Sequence, residues 1–145
     1  MSVTDAIDAL AAFIPASTTL PPHQTQLYAR PLVVTPAMCP LLALFPKERD
    51  PQLETTSSTY SNEDVITLAW FEAVPSSLDT GILDPAVTKS AVHRAEAITA
   101  ALETCAAGLP GFAQQADTTI TKVRYGSIEG GVWCSEITMR ITTWS

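Results

Sequence analysis

A chain of 145 residues has room for one domain, and at that length a hydrophobic core can close without disulfide or metal staples. Its hydrophobic content of 46% fits a globular fold. Its formal charge of −7, with Lys and Arg scattered rather than clustered, excludes specific nucleic-acid binding, which needs grouped cations to displace counterions from phosphates.

Charged residues make up 16%, below the ~25% of an average domain. Two readings stay open: part of the outside is buried against other subunits, or a neutral surface rich in the nineteen threonines replaces the missing charge. The three cysteines, Cys39, Cys105 and Cys134, are odd in number and widely spaced, with no Cys/His zinc pattern. They read as structural thiols of a reducing compartment. Residues 1–15 lack the basic start of a signal peptide, and no apolar run approaches the ~20 residues that cross a bilayer. The expectation is a product of the cytosol that leaves it only inside a particle.

In chain order, Val3, Ile7, Leu10, Ala11 and Ile14 repeat at helical spacing, with Thr4, Asp5 and Asp8 on the other side. Ser2 is the expected cap and Pro15 the expected stop, which predicts a helix over 3–14. Residues 15–36 read as a Pro-rich loop or arm, ending in a short apolar run between Pro31 and Pro36 that suits a sheet edge or an extended connection. Residues 39–45 start a strand that runs into a charged, water-facing loop at 46–51. A Thr-rich stretch at 53–60 could be a strand, and Ser61, Asn62, Glu63 and Asp64 a turn. Residues 65–74 give the strongest strand signal, apolar on both faces as a covered central strand should be.

After a loop at 76–83, Asp84 caps and Pro85 opens a long helix whose stripe is Ala91, Ala95, Ile98, Leu102 and Cys105. Lys89, Arg94, Glu96 and Glu103 fall off that stripe, and Gly108 with Pro110 ends the helix. Strand 118–125 sets Thr119, Thr121, Val123 and Tyr125 against Ile120, Lys122 and Arg124. A hairpin loop over 126–131 leads to a last strand at 132–144, with Ile137, Met139 and Ile141 on one face. The expected fold is α+β in a single domain, 1–145. It has a mixed or antiparallel sheet of about four to five strands, packed on one long helix plus the N-terminal helix.

Candidate chemistry is thin, and no catalytic residue, cofactor site or metal site is expected. Asp79-Thr80-Gly81 matches the triplet around the catalytic aspartate of aspartic proteases, two copies of which could share a proton across a dimer. Here the triplet follows a polar loop rather than a buried strand, and an ordinary turn before a helix cap is the plainer reading. A small dimeric aspartic protease using Asp79 is kept as the alternative from another class. His93 and Glu96 have the three-residue spacing of two metal ligands, but the other histidine, His23, lies far off in the Pro-rich loop, and most metal sites need at least three protein ligands. A solvated helix face explains the pair. Cys105 lies on the apolar helix stripe, which argues against a reactive thiol. Gly126, Gly130 and Gly131 fit no phosphate-loop pattern and suit a hairpin tip. Trp70, Trp133 and Trp144 read as core or interface anchors.

The order of elements resembles the tail terminator proteins of long, flexible-tailed, lambda-like bacteriophages. Their N-terminal amphipathic helix corresponds to Asp5-Ala6-Ile7-Asp8-Ala9-Leu10, and their first strand pair to residues 39–45 and 65–71. Their long helix corresponds to 91–105 and their closing hairpin strand to 133–144. The likeness lies in layout and length and spans nearly the whole chain. It implies a structural virion protein with no catalytic activity. Such a protein forms a hexameric ring on the last ring of the tail tube protein, stops tube growth and gives head–tail connector and neck proteins their docking surface. DNA then passes through its channel without specific binding, and no membrane is involved. Another head–tail neck ring, a stopper or head-completion protein, is the alternative within the class. The expected subunit and partner contacts are the 46–51 segment (Pro46, Lys47, Glu48, Arg49, Asp50), the hairpin tip (Ser127, Ile128, Glu129) and the edge near Trp144.

Overall fold

The computed structural model describes residues 3–53, 60–74, 85–105, 108, 116–128 and 131–144, with the backbone alone described at 50–53, 60–62, 116–117, 127–128 and 143–144. The elements follow as α1 (Val3–Ser17), β1 (Gln24–Leu27), β2 (Leu41–Leu53), β3 (Tyr60–Ala73), α2 (Pro85–Glu103), β4 (Ala116–Ile128) and β5 (Val132–Trp144), with a 3-10 turn at Pro36–Met38. The five strands form one mixed sheet in the order β1-β2-β3-β5-β4, parallel between β1 and β2 and antiparallel elsewhere. The fold is α+β.

Strand β3 is central, and its sequence shows why. Ile66, Leu68 and Trp70 are buried on one face, and Thr67, Ala69 and Phe71 on the other. The first face carries the main core. There Ala6, Ile7, Leu10 and Ile14 of α1 and Ile98 and Leu102 of α2 pack on Leu42, Leu44, Leu68, Trp70, Ile137 and Met139. The helix stripe Ala91, Ala95, Ile98, Leu102 and Cys105 is buried throughout. The opposite face holds a smaller cluster of Val34, Leu41, Ala43, Phe45, Ala69, Phe71 and Val132, with Met38, Cys39 and Cys134 against it. No helix covers this second face among the described residues, and it is called the open face below.

Several expectations give way to tertiary pairing. Helix α1 runs past Pro15 to Ser17. Pro15 is exposed and sits in the last turns, where its missing N–H costs a single bond, and Thr18 Oγ1 donates to the Ile14 carbonyl at 2.7 Å to close the end. Within the expected loop, β1 pairs with β2 through only four residues, too few for an alternation to show. Tyr28 then turns away at φ 74, its hydroxyl donating to Asp8 of α1. The 31–36 run forms no strand: prolines remove ladder donors at both ends, Val34 turns inward, and Leu32 is 100% exposed.

The water-facing loop expected at 46–51 is instead the outer half of β2, and the turn expected at 61–64 is the start of β3. They pair with each other, Arg49 opposite Asp64 and Pro51 opposite Asn62. Cross-strand charge and backbone bonding extend the ladder beyond the apolar core, where hydropathy gives no signal. A register shift between Pro46 and Glu48 leaves Lys47 as the extra residue of a bulge, a place where a strand tolerates proline.

The last hairpin is tighter than the expected 126–131 loop. Gly126, Ser127 and Ile128 pair with Cys134, Trp133 and Val132, and Gly131 adopts φ 75 where the chain turns back. The simple alternation expected of β4 also breaks. A register shift between Ile120 and Lys122 inverts the pattern, so that Ile120 and Val123 both reach the main core. The caps expected at Ser2 and Asp84, the 76–83 loop and most of the 53–60 stretch lie outside the described residues.

Candidate functional site: the open face of the sheet

Strand register decides which side chains share the open face. Glu48 of β2 pairs with Val65 of β3, and Val65 with Arg140 of β5. Thr67 pairs with Thr138, and across β5 lie Lys122 opposite Thr138 and Arg124 opposite Glu136. Arg30 reaches in from the connection between β1 and β2. Its Nη2 lies 3.0 Å from Glu136 Oε2, and its guanidinium carbon sits 5.4 Å from the centre of the Phe45 ring. Arg140 Nε lies 3.7 Å from Glu63 Oε2. Arg30, Lys47, Lys122, Arg124 and Arg140 thus face three described carboxylates, Glu48, Glu63 and Glu136. The backbone register also sets Asp50 opposite Glu63 and Asp117 opposite Thr142, so this face is near charge balance, whereas the whole chain has 8 cations against 15 acids. A cleft of 480 Å³ opens on it, lined by Arg30, Phe45, Lys47, Thr67, Arg124 and Glu136 among others.

The expected contact residues divide. Pro46, Lys47, Glu48 and Arg49 are exposed, as a contact surface requires, but they stand on a strand rather than a loop. Lys47 joins the cleft. Arg49 is committed elsewhere, with Nε and Nη2 holding Asp64 Oδ1 and Oδ2 at 2.8 and 3.0 Å. That bonding raises the Arg49 pKa and keeps the charge fixed. Asp50, Ser127, Ile128 and Trp144 are placed by backbone, Asp50 opposite Glu63 and Trp144 opposite Ser61. Glu129 lies outside the described residues, as does Asp79.

A second polar group, on the helix-covered face, was not expected. Glu72 is buried, accepts the Trp70 Nε1 hydrogen at 2.6 Å, and is paired with Arg94 of α2, whose Nη2 lies 3.2 Å from Glu72 Oε2. The His23 ring stacks edge-on against Trp70 at 5.2 Å. The chain of contacts ties the approach to β1, the central strand and α2 together. Its signal in the sequence is one carboxylate inside an otherwise apolar strand, which demands a cation; Arg94, off the helix stripe, supplies it.

His93 and Glu96 lie 3.8 Å apart on an exposed helix face, and among the described residues no three His, Cys, Asp or Glu side chains gather. Trp133 donates from Nε1 to Ser135 Oγ at 3.1 Å and borders an apolar groove with Pro85, Val92 and His93. Burial raises the pKa of Cys39, Cys105 and Cys134, the last to about 11, with Glu136 adding to the shift. Protonated thiols are poor nucleophiles and poor ligands. Among the described residues, no helix is long and apolar enough to cross a membrane. No model of a known protein family matches the chain, and no curated protein matches it significantly.

Two outcomes follow from these pairings. Replacing Arg49 by Ala strands a buried Asp64 carboxylate, at a cost of about 1–3 kcal/mol read by urea unfolding; this is below the loss for a fully buried pair because Arg49 is itself 43% exposed. With its pKa near 11, Cys134 carries about a hundredfold less thiolate at pH 8 than an ordinary thiol, so iodoacetamide labels it that much more slowly in the folded chain than after unfolding. The sign for stability follows: between the unfolded thiol pKa and about 11 the folded state holds the proton longer, so this group lowers stability as pH rises through that window.

Proposed function

We propose that the chain is a structural assembly protein, a tail terminator of a long, flexible-tailed bacteriophage. In this reading six copies close into a ring on the end of the tail tube, stop its polymerisation and present a docking surface to the neck. No reaction is catalysed, and DNA passes through the channel without specific binding. The protein then resides in the virion, at the junction of tail and head.

The observation that carries the reading is the outer edge of β4. This strand runs for 13 residues at the border of the sheet, with β5 on one side and no described strand on the other. A long edge presents a row of main-chain donors and acceptors to any neighbouring strand. On the opposite border β1 covers only Leu41–Leu44 of β2, and beyond it β2 forms a second edge, interrupted by the bulge at Lys47. The bulge at Thr121 and the cations Lys122 and Arg124 keep the β4 edge from pairing indiscriminately and leave it to a complementary partner. Support also comes from Leu32 and Val33, 100% and 69% exposed beside the open face, which gain by burial against a neighbour. The layout of long helix, central strand and closing hairpin agrees with the resemblance drawn from the sequence.

Adding the purified chain to polymerising tail tubes is expected to leave a ring-shaped cap at one end and to halt elongation, as seen by negative-stain imaging. Tubes that grow to the same lengths with and without it would contradict the reading.

A further inference from the structure

We propose that the cleft on the open face is a docking groove for an extended acidic segment of a partner protein, held between Lys47 and Arg124. The inference is independent of the ring reading and rests on where the charges stand. Lys47 and Arg124 line the same cleft from β2 and β4. Three strand spacings separate those strands, about 14 Å between backbones. Both cations are exposed, and neither has an ion-pair or hydrogen-bond partner among the described residues.

Between them the cleft is already occupied by charge. Glu136 sits mid-sheet, bonded to Arg30 at 3.0 Å, and Arg30 is in turn steadied over Phe45. A compact multiply charged anion, such as phosphate, would meet the Glu136 carboxylate at the centre and could not touch both free cations. A chain with one carboxylate at each end and neutral residues between avoids that repulsion. An extended peptide covers the span in about four residues. The floor suits such a chain, since Thr67 and Phe45 are buried beneath it and contribute no further charge. Lys47 and Arg124 supply the attraction for an acidic partner locally, at the cleft they both line, although the whole chain is at −7.

The test is a titration of the full-length, ¹⁵N-labelled chain with a blocked short peptide carrying glutamates four positions apart and serine and threonine between. Saturable shifts are expected at the amides of Lys47, Thr67 and Arg124, and weak or absent shifts with the glutamine version of the peptide. The double variant Lys47→Glu, Arg124→Glu is expected to bind about tenfold or more weakly while keeping the spectrum of a folded chain, because both side chains are exposed. Single variants at each position are expected to lose part of the affinity, which covers the case of a double variant that folds poorly. Equal binding of the glutamine peptide, or unchanged binding by the single variants, would overturn the proposal. So would inorganic phosphate that reproduces the same shifts at the same concentration, since it would make the cleft a small-anion site. No tail component enters the experiment, so its outcome leaves the ring reading untouched.

Discussion

Burial of β3 on both faces is the constraint from which the rest of the structure follows. A strand that is apolar on both faces cannot sit at an edge or face water on one side, so it must take a strand on each flank and cover above and below. Leu68 and Trp70 place α1 and α2 on one side, and Ala69 and Phe71 draw the segment around Val34 and Met38 over the other. The helices bury a large cluster while the loop covers a small one. The asymmetry leaves a broad open face on which the charges of β2, β5 and β4 come together.

Charge is used in two different ways in this molecule. Glu72 with Arg94 and Asp64 with Arg49 are pairs in which a buried carboxylate is matched by a more exposed arginine. Removing either partner is costly, although neither pair is a large net source of stability. They fix which strand lies beside which and where α2 sits on the sheet. On the open face the balance is looser. Arg30 and Glu136 neutralise each other, and Lys47, Lys122 and Arg124 face solvent.

The parts of the fold legible in the sequence are those where one physical signal dominates. The long helix shows in the spacing of Ala91, Ala95, Ile98 and Leu102, and the central strand in its apolar run. What was not legible depends on partners distant in the chain. Pro46, Lys47, Glu48 and Arg49 read as a loop because they are charged, and they are a strand because Asp64 and its neighbours pair with them. The bulges at Lys47 and Thr121 each invert an alternation, which no local pattern announces. Of the cleft residues, the sequence singles out Lys47 through its charged, Pro-flanked segment. It does not single out Arg30, Arg124 and Glu136, because they meet only when β5 inserts between β3 and β4 and the connection to β2 crosses the same face. That insertion is a property of topology and is invisible in composition or period.

The claim that organises the functional reading is that the chain acts as an assembled ring rather than as a lone domain. Sedimentation over a wide concentration range, with negative-stain imaging of each species and with tail tubes added to the dilute samples, tests it most directly. The expected result is a sixfold ring with an open channel, free in solution or seated on the tube end. A compact dimer or a monomer under every one of these conditions would contradict it.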